Sequence, residues 1–397
     1  MRVMLCGGTG FIGTALSEAL LERGDEVWIV TRRLPAAPAA GLLYVTWEEW
    51  AHHPERWSGI DAIVCLAGET ISKRWTDEAK RRILISRTQT ALHIADIVKR
   101  TPQPPKVLVN ASGISLYGHS YSPIVKPKPS PKPEKPKKRK KKRNEIGNWM
   151  EEWEQQQGGE TRANPIPETE RLGIRGFTYG VRPQASAEPE AAAGGDAPTS
   201  ANPVPNPNGK LSAEELGWFH EDSPARPEDF LGRTVVAWEE AVDQIPVDRI
   251  VKLRISLVLG RGGGSFPLLR LPYRLFFGGR MGKGTQGFPW IHLDDMVALI
   301  LFCLDHPELS GPVNAVAPDP VNNDTFGRTL AKVTRRPHWF HVPSSLLRLA
   351  LGEQSDLLLT GQHAYPYKAL EHGFTFAFPR LEDALRDLTG RHSRERA

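Results

Sequence analysis

Gly7-Gly8-Thr9-Gly10-Phe11-Ile12-Gly13 follows the short apolar run Val3-Met4-Leu5-Cys6. The run reads as a buried parallel strand. Beyond the glycines, Ile12, Ala15, Leu16, Ala19 and Leu20 recur at helical spacing, and Gly24 marks a stop. Strand, glycine turn and helix in this order predict a phosphate-binding turn, with Gly8, Gly10 and Gly13 on the G-x-G-x-x-G spacing. A tight turn, a bare backbone against a pyrophosphate and a helix packed on its strand all require glycine. The open amides of that helix then face the phosphates. A glycine turn with no ligand is the plain alternative.

The next strand selects the dinucleotide. Glu26-Val27-Trp28-Ile29-Val30 runs into Thr31-Arg32-Arg33. NAD sites place an acid here for the ribose 2′-hydroxyl, whereas arginine suits a 2′-phosphate. No Asp or Glu stands at this strand end, so the expected cofactor is NADP (as NADPH), with NAD the second choice. Two solvated surface arginines are the bland reading.

Strand-like and helix-like segments continue to alternate up to Gly118. Ala62–Ala67 is a buried strand leading into the loop Gly68–Trp75. Thr76 is an N-cap, with Asp77 and Glu78 in the first turn of a helix reaching Arg100. Lys106–Ser112 is the next strand. Such alternation predicts an α/β fold with a doubly wound parallel sheet. From 119 to 217 Pro, Lys, Ala, Gly and Asn dominate and core periodicity fades, as in a disordered low-complexity insert. Within it Ile146, Trp149, Met150 and Trp153 share one face of a short helix. Regular structure resumes with a helix over Asp229–Val242, a strand over Ile250–Ile255 and a helix opened by Pro289–Asp295. The expected organisation is a dinucleotide-binding domain over 1–118 and 218–336, an insert over 119–217 and a small C-terminal domain over 337–390.

Three cysteines, Cys6, Cys65 and Cys303, are far apart and lack metal or disulfide spacing. A first strand that starts at once leaves no room for a signal peptide, and no apolar stretch is long enough to span a bilayer. These features predict a reduced, cytoplasmic setting. The net charge of +5 misleads, because 126–143 alone carries eleven basic residues against one glutamate. The remainder of the chain is acidic, so the basic balance is no sign of a nucleic-acid-binding fold. Solvation is the default reading of such a run. A tether to nucleic acid or to an anionic membrane surface is the alternative.

Taken together, GGTGFIG at Gly7, LAGE at Leu66–Glu69, Arg74-Trp75, SRTQT at Ser86–Thr90 and ASGISLYG at Ala111–Gly118 resemble the extended short-chain dehydrogenase/reductases of the NAD-dependent epimerase/dehydratase superfamily. LRISLVLGRGGG at Leu253–Gly264, WIHLDD at Trp290–Asp295 and GEQSDLLLTGQ at Gly352–Gln362 narrow the likeness to an atypical sugar-nucleotide epimerase branch with a C-terminal domain of unknown function. The resemblance implies that Thr31 and Arg32 border the adenosine phosphate, that Leu66 and Ala67 line the cofactor and that Arg87 contacts it. It also implies a small-molecule substrate.

One departure bears on the chemistry. Members of this superfamily use Tyr-x-x-x-Lys, the tyrosine as acid/base and the lysine to lower its pKa. Here the corresponding positions are Phe230 and Thr234, and the arginine expected before the WIH histidine is Phe288. Two readings stay open: an NADP(H)-dependent oxidoreductase or epimerase, and a non-catalytic dinucleotide-binding regulator. Candidate replacements for the missing acid are Tyr117 and Ser112, at a strand's carboxyl end, and His292. Tyr117 and His292 also have bland readings, a packed aromatic and a helix cap. Glu69, Arg74, Trp75 and Trp290 are candidates for the substrate side. An anionic substrate would gain from the cationic insert beside the cleft. No metal site is expected.

Overall fold

The computed structural model describes residues 1–120 and 217–390. The basic run and the Ile146–Trp153 face lie outside the described residues.

Val3-Met4-Leu5-Cys6 alternates its side chains between two apolar layers, which is why the run carries no polar face. Val3 and Leu5 pack with Leu16 and Leu20, whereas Met4 and Cys6 pack with Ile94 and Trp238. Burial on both faces is the mark of a central parallel strand. β1 (Arg2–Cys6) lies in a seven-stranded sheet with β2 (Glu26–Thr31), β3 (Leu42–Thr46), β4 (Ala62–Cys65), β5 (Val107–Gly113), β6 (Arg249–Ile255) and β10 (Gly311–Ala315). The spatial order is β10-β6-β5-β4-β1-β2-β3, every pairing parallel. This is the doubly wound sheet expected from the sequence, with its change of winding direction between β1 and β4. Open sheets of this kind bind ligands at that point, outside the carboxyl ends of the strands.

α1 (Phe11–Glu22) crosses from β1 to β2, α2 (Trp47–His52) follows β3, and α3 (Asp77–Arg100) crosses from β4 to β5. Thr76 caps α3 as expected, accepting the Ala79 N–H at 3.1 Å. α4 (Phe230–Val242) packs beside α3 and is capped by Asp229, which accepts the Gly232 N–H at 2.6 Å.

A second part of the core carries two small sheets, β7 (Leu257–Leu259) with β9 (Trp290–His292) and β8 (Gly279–Met281) with β11 (Phe340–Val342). Around them lie α5 (Phe266–Arg274), α6 (Leu293–Asp305), α7 (Asn323–Thr334), α8 (Ser344–Leu351), α9 (Asp356–Leu359), α10 (Tyr367–Glu371) and α11 (Leu381–Leu388). The WIHLDD stretch departs from expectation. Trp290–His292 is a strand paired to β7, and the helix starts only at Leu293. His292 is the cap, its Nδ1 accepting the Asp294 N–H at 3.1 Å.

Candidate active site

The glycine turn is built by close approach. Gly7 sits at φ +86°, and a Cβ there would lie 2.8 Å from the Leu66 carbonyl carbon. A Cβ on Gly13 would lie 2.2 Å from the Gly7 carbonyl oxygen. Both contacts are with backbone and cannot relax by a side-chain rotation. The Gly10 N–H closes the turn on the Gly7 carbonyl at 3.0 Å. Thr9 and Gly10 are exposed at its crest, with Phe11 and Ile12 starting α1. The second glycine run, 260–264, seats the Phe11 ring, which a Cβ on Gly260 would meet at 2.4 Å.

At the end of β2, Thr31 Oγ1 donates to the Arg33 carbonyl at 2.9 Å and shapes the turn. Arg32 and Arg33 are exposed and pair with no described residue. Their guanidiniums are free for an anion at the edge of the crevice.

The loop after β4 is held from below by α3. Ser86 Oγ accepts the Glu69 N–H at 2.9 Å, and Arg87 Nη1 donates to the Glu69 carbonyl at 3.1 Å and the Ile83 carbonyl at 3.0 Å. The Arg87 guanidinium lies 5.2 Å from the Trp238 ring centroid, and burial pulls its pKa down to about 10. LAGE and SRTQT are therefore two sides of one joint. Leu66 and Ala67, both half-buried, leave β4 beside Gly7. Further along the loop Glu69 pairs with Lys73 at 3.0 Å, Arg74 is exposed, and Trp75 meets Phe230 edge-on at 5.6 Å. Glu69, Arg74 and Trp75 thus share one loop, and Phe230 adds an apolar wall where the resemblance expects an acid.

Tyr117 and Ser112 belong to a buried polar network. The Tyr117 hydroxyl donates to Asn314 Oδ1 at 2.7 Å and accepts from Arg254 Nη1 at 2.8 Å. Arg254 forks onto both carboxylate oxygens of Glu239 at 3.0 Å, and Ser112 Oγ donates to Glu239 Oε1 at 2.6 Å. Arg254 Nη1 also reaches the Glu221 carbonyl at 3.0 Å, and Glu221 Oε1 accepts the Asn314 N–H at 2.9 Å. Tyr117 is 0% exposed and stacked on Phe219, and burial pushes its phenol far above the usual tyrosine range. A proton donor at this position would have to open the network first.

Burial also pushes the Glu221 carboxyl above the ordinary glutamate value, against the pull of the Asn314 N–H. The native state thus favours the neutral acid. Its contribution is full below the unfolded glutamate pKa and is lost as pH rises through the higher folded value. Glu221→Gln is expected to flatten that loss, read as urea midpoints of both proteins at about pH 5 and about pH 8. Equal pH slopes in the two proteins would contradict it.

His292 is buried, with Nδ1 on its helix cap, Nε2 3.4 Å from Asp387 and the ring 4.0 Å from Phe378. Trp290 is 1% exposed and donates to the Asp319 carbonyl at 3.2 Å. Both side chains are buried in the second part of the core. No sequence motif marks His119 as a site residue. Its Nε2 lies 3.8 Å from Glu228 Oε2 and Asp229 Oδ2, the latter one residue before Phe230. Its place two residues beyond Tyr117 was the only available signal.

The C-terminal segment closes over these loops. Lys80 pairs with Glu353 at 2.8 Å, Gln354 donates to the Ile71 carbonyl at 3.3 Å, and Gln362 donates to the Gly118 carbonyl at 2.7 Å. Ser120 Oγ accepts the His363 N–H at 2.7 Å. The GEQSDLLLTGQ stretch therefore spans the loops after β4 and β5. No cluster of histidine, cysteine or carboxylate suited to a metal occurs among the described residues.

Fold order, glycine turn and crevice define a dinucleotide-binding Rossmann domain with a C-terminal addition. Residues 3–142 match the NAD dependent epimerase/dehydratase family, and residues 342–388 match a domain of unknown function, DUF1731. The human epimerase family protein SDR39U1 is 30% identical over 397 residues, covering 98% of this chain and 99% of its own. The Bacillus subtilis epimerase family protein YfhF is 29% identical, with 98% of each chain covered. The crystal structure of human SDR39U1 (isoform 2) with NADPH matches at a TM-score of 0.69 and 28% identity, covering 99% of this chain and 100% of that one. The chain belongs to the epimerase family, in the atypical extended short-chain dehydrogenase/reductase branch read from its motifs.

Proposed function

We propose that this protein binds NADPH in the β1–β4 crevice and is an epimerase- or reductase-type enzyme acting on a small, anionic substrate. The carrying observation is the pairing of a glycine turn closed to any Cβ at Gly7 and Gly13 with the two unpaired arginines at the end of β2. The NADPH-bound human relative supports the same cofactor. Gly7, Gly8, Thr9, Gly10 and the first turn of α1 would hold the pyrophosphate on backbone amides. Thr31 and Arg32 would meet the 2′-phosphate, and Leu66 and Ala67 would line the ring. Arg87 acts through the Glu69 backbone, which it positions.

When bound, the cofactor supplies hydride exchange at its nicotinamide. The residues facing the substrate would be Glu69, Arg74, Trp75 and Phe230, with His119 and Asp229 the titratable pair beside that wall. In this reading Tyr117, Ser112 and His292 hold the framework. The exchange of Tyr and Lys for Phe230 and Thr234 favours a second reading, a dinucleotide-binding regulator without turnover. Net consumption of NADPH against a panel of carbonyl compounds would mark a reductase and interconversion of epimers without net cofactor consumption an epimerase, whereas the regulator does neither.

Arg32→Ala is expected to weaken NADPH binding by about tenfold or more while leaving NADH nearly unchanged, since one charge-assisted bond is worth roughly 1.5–3 kcal/mol. Isothermal titration of both cofactors checks it. An equal loss for NADH would remove Arg32 from the 2′-phosphate site.

A further inference from the structure

The largest exposed aromatic cluster among the described residues lies outside the crevice, where α5 ends and β11 begins. Phe276, Phe277 and Trp339 are 54%, 57% and 64% exposed, and Phe340 joins them. Phe277 meets Phe340 edge-on at 6.2 Å, Trp339 meets Phe340 at 5.7 Å, and the Trp339 indole donates to the Phe276 carbonyl at 3.0 Å. Phe276 stands at φ +65°, a conformation that bulky residues rarely adopt. The backbone is thus held in an unfavourable turn that displays two adjacent phenylalanines to solvent. Such local strain persists where the surrounding structure imposes it, and it marks functional positions.

The two segments that carry the cluster supply charge of one sign. Segments 266–280 and 335–348 contain six arginines and no Asp or Glu. Arg274, Arg335 and Arg336 are exposed and form no ion pair with a described residue, and Arg336 lies 4.4 Å over the Phe276 ring. The nearby Asp324 carboxylate is engaged by His338 at 3.0 Å and Arg328 at 2.7 Å, so two copies of this face brought together would set mainly arginine against arginine and the patch is poorly complementary to itself. Its complement is apolar and anionic. The lysine-rich run at 126–143 adds charge of the same sign to the chain, which suits a continuous anionic surface better than a single acidic peptide.

We propose that the Phe276–Phe277–Trp339–Phe340 cluster is an interfacial docking site for an anionic lipid membrane, the aromatics entering the headgroup boundary and the arginines meeting lipid phosphates. Shallow insertion of aromatic side chains combined with basic charge gives reversible attachment to such surfaces. No helix among the described residues is long and apolar enough to cross a membrane, so the attachment is peripheral.

The test is co-sedimentation of the full chain with phosphatidylcholine vesicles and with vesicles that also contain phosphatidylglycerol. Binding is expected only to the anionic vesicles, weakened by salt, and about tenfold or more weaker for Phe276→Ser with Phe277→Ser. Both side chains are exposed, so the thermal midpoint and the far-ultraviolet dichroism should match the unsubstituted chain. If that variant does not fold, Arg274→Gln with Arg335→Gln and Arg336→Gln is the second arm, with the same expected loss. Absence of binding to anionic vesicles overturns the proposal. Binding undiminished in the variants also overturns it and assigns attachment to the lysine-rich run. A concentration-dependent dimer that disappears in the phenylalanine variant, without vesicle binding, would assign the patch to self-association instead.

Discussion

Arg254→Met is expected to lower the stability of the protein by about 3–5 kcal/mol, the usual cost of removing one partner of a buried ion pair. Arg254 is 7% exposed and Glu239 8%. The substitution leaves the Glu239 carboxylate buried with the Ser112 hydroxyl and with Lys252 Nζ at 3.8 Å. It also strips a donor from Tyr117 and from the Glu221 carbonyl. Most of the loss is the penalty for a carboxylate left with only the Ser112 hydroxyl and the more distant Lys252 ammonium, so Arg254→Met with Glu239→Met should recover much of it. Urea unfolding of the single and double variants measures both. A double variant no better than the single would mean that the network, and not the under-compensated charge, sets the cost.

Gly13→Ala carries the second large effect. The added methyl carbon would sit 2.2 Å from the Gly7 carbonyl oxygen and 2.7 Å from the Gly8 Cα, both backbone atoms. Either α1 moves away from β1 or the turn unfolds. In both cases the backbone amides leave the position that a pyrophosphate needs. NADPH affinity is expected to fall about a hundredfold or more, equivalent to at least roughly 2.7 kcal/mol. Gly262→Ala is the control, because a Cβ there meets nothing within 4 Å and its φ lies outside the left-handed region. Titration of NADPH into both variants decides it, and near-native affinity in Gly13→Ala would contradict the described turn.

The parts of the fold legible in the sequence are those fixed by local geometry. A glycine turn needs glycine at set positions, Thr76 caps a helix whose first turn is acidic, and Arg100 and Thr101 end it. Each signal lies within one window, and each element appears close to its expected bounds. The doubly wound sheet follows from their alternation. The sequence predicts a helix opening at Trp290–His292 because three residues are too few for a strand period to register. The buried network is a different case. Ser112, Tyr117, Glu221, Glu239, Arg254 and Asn314 come from separate elements, and Tyr117 and Asn314 are 197 residues apart. Apart from Ser112 and Tyr117, which share one stretch, nothing in the neighbourhood of any one of them announces the others. The resemblance has Arg87 contact the cofactor; the structure adds that its Nη1 is bonded to the carbonyls of Glu69 and Ile83.

The central claim is that the β1–β4 crevice takes a dinucleotide bearing a 2′-phosphate. Parallel equilibrium titrations of the unsubstituted chain with NADPH and NADH test it without any knowledge of the substrate. NADPH is expected to bind about tenfold or more tightly, with a preference that narrows as salt screens Arg32 and Arg33. Equal affinities, or a preference for NADH, would contradict the account.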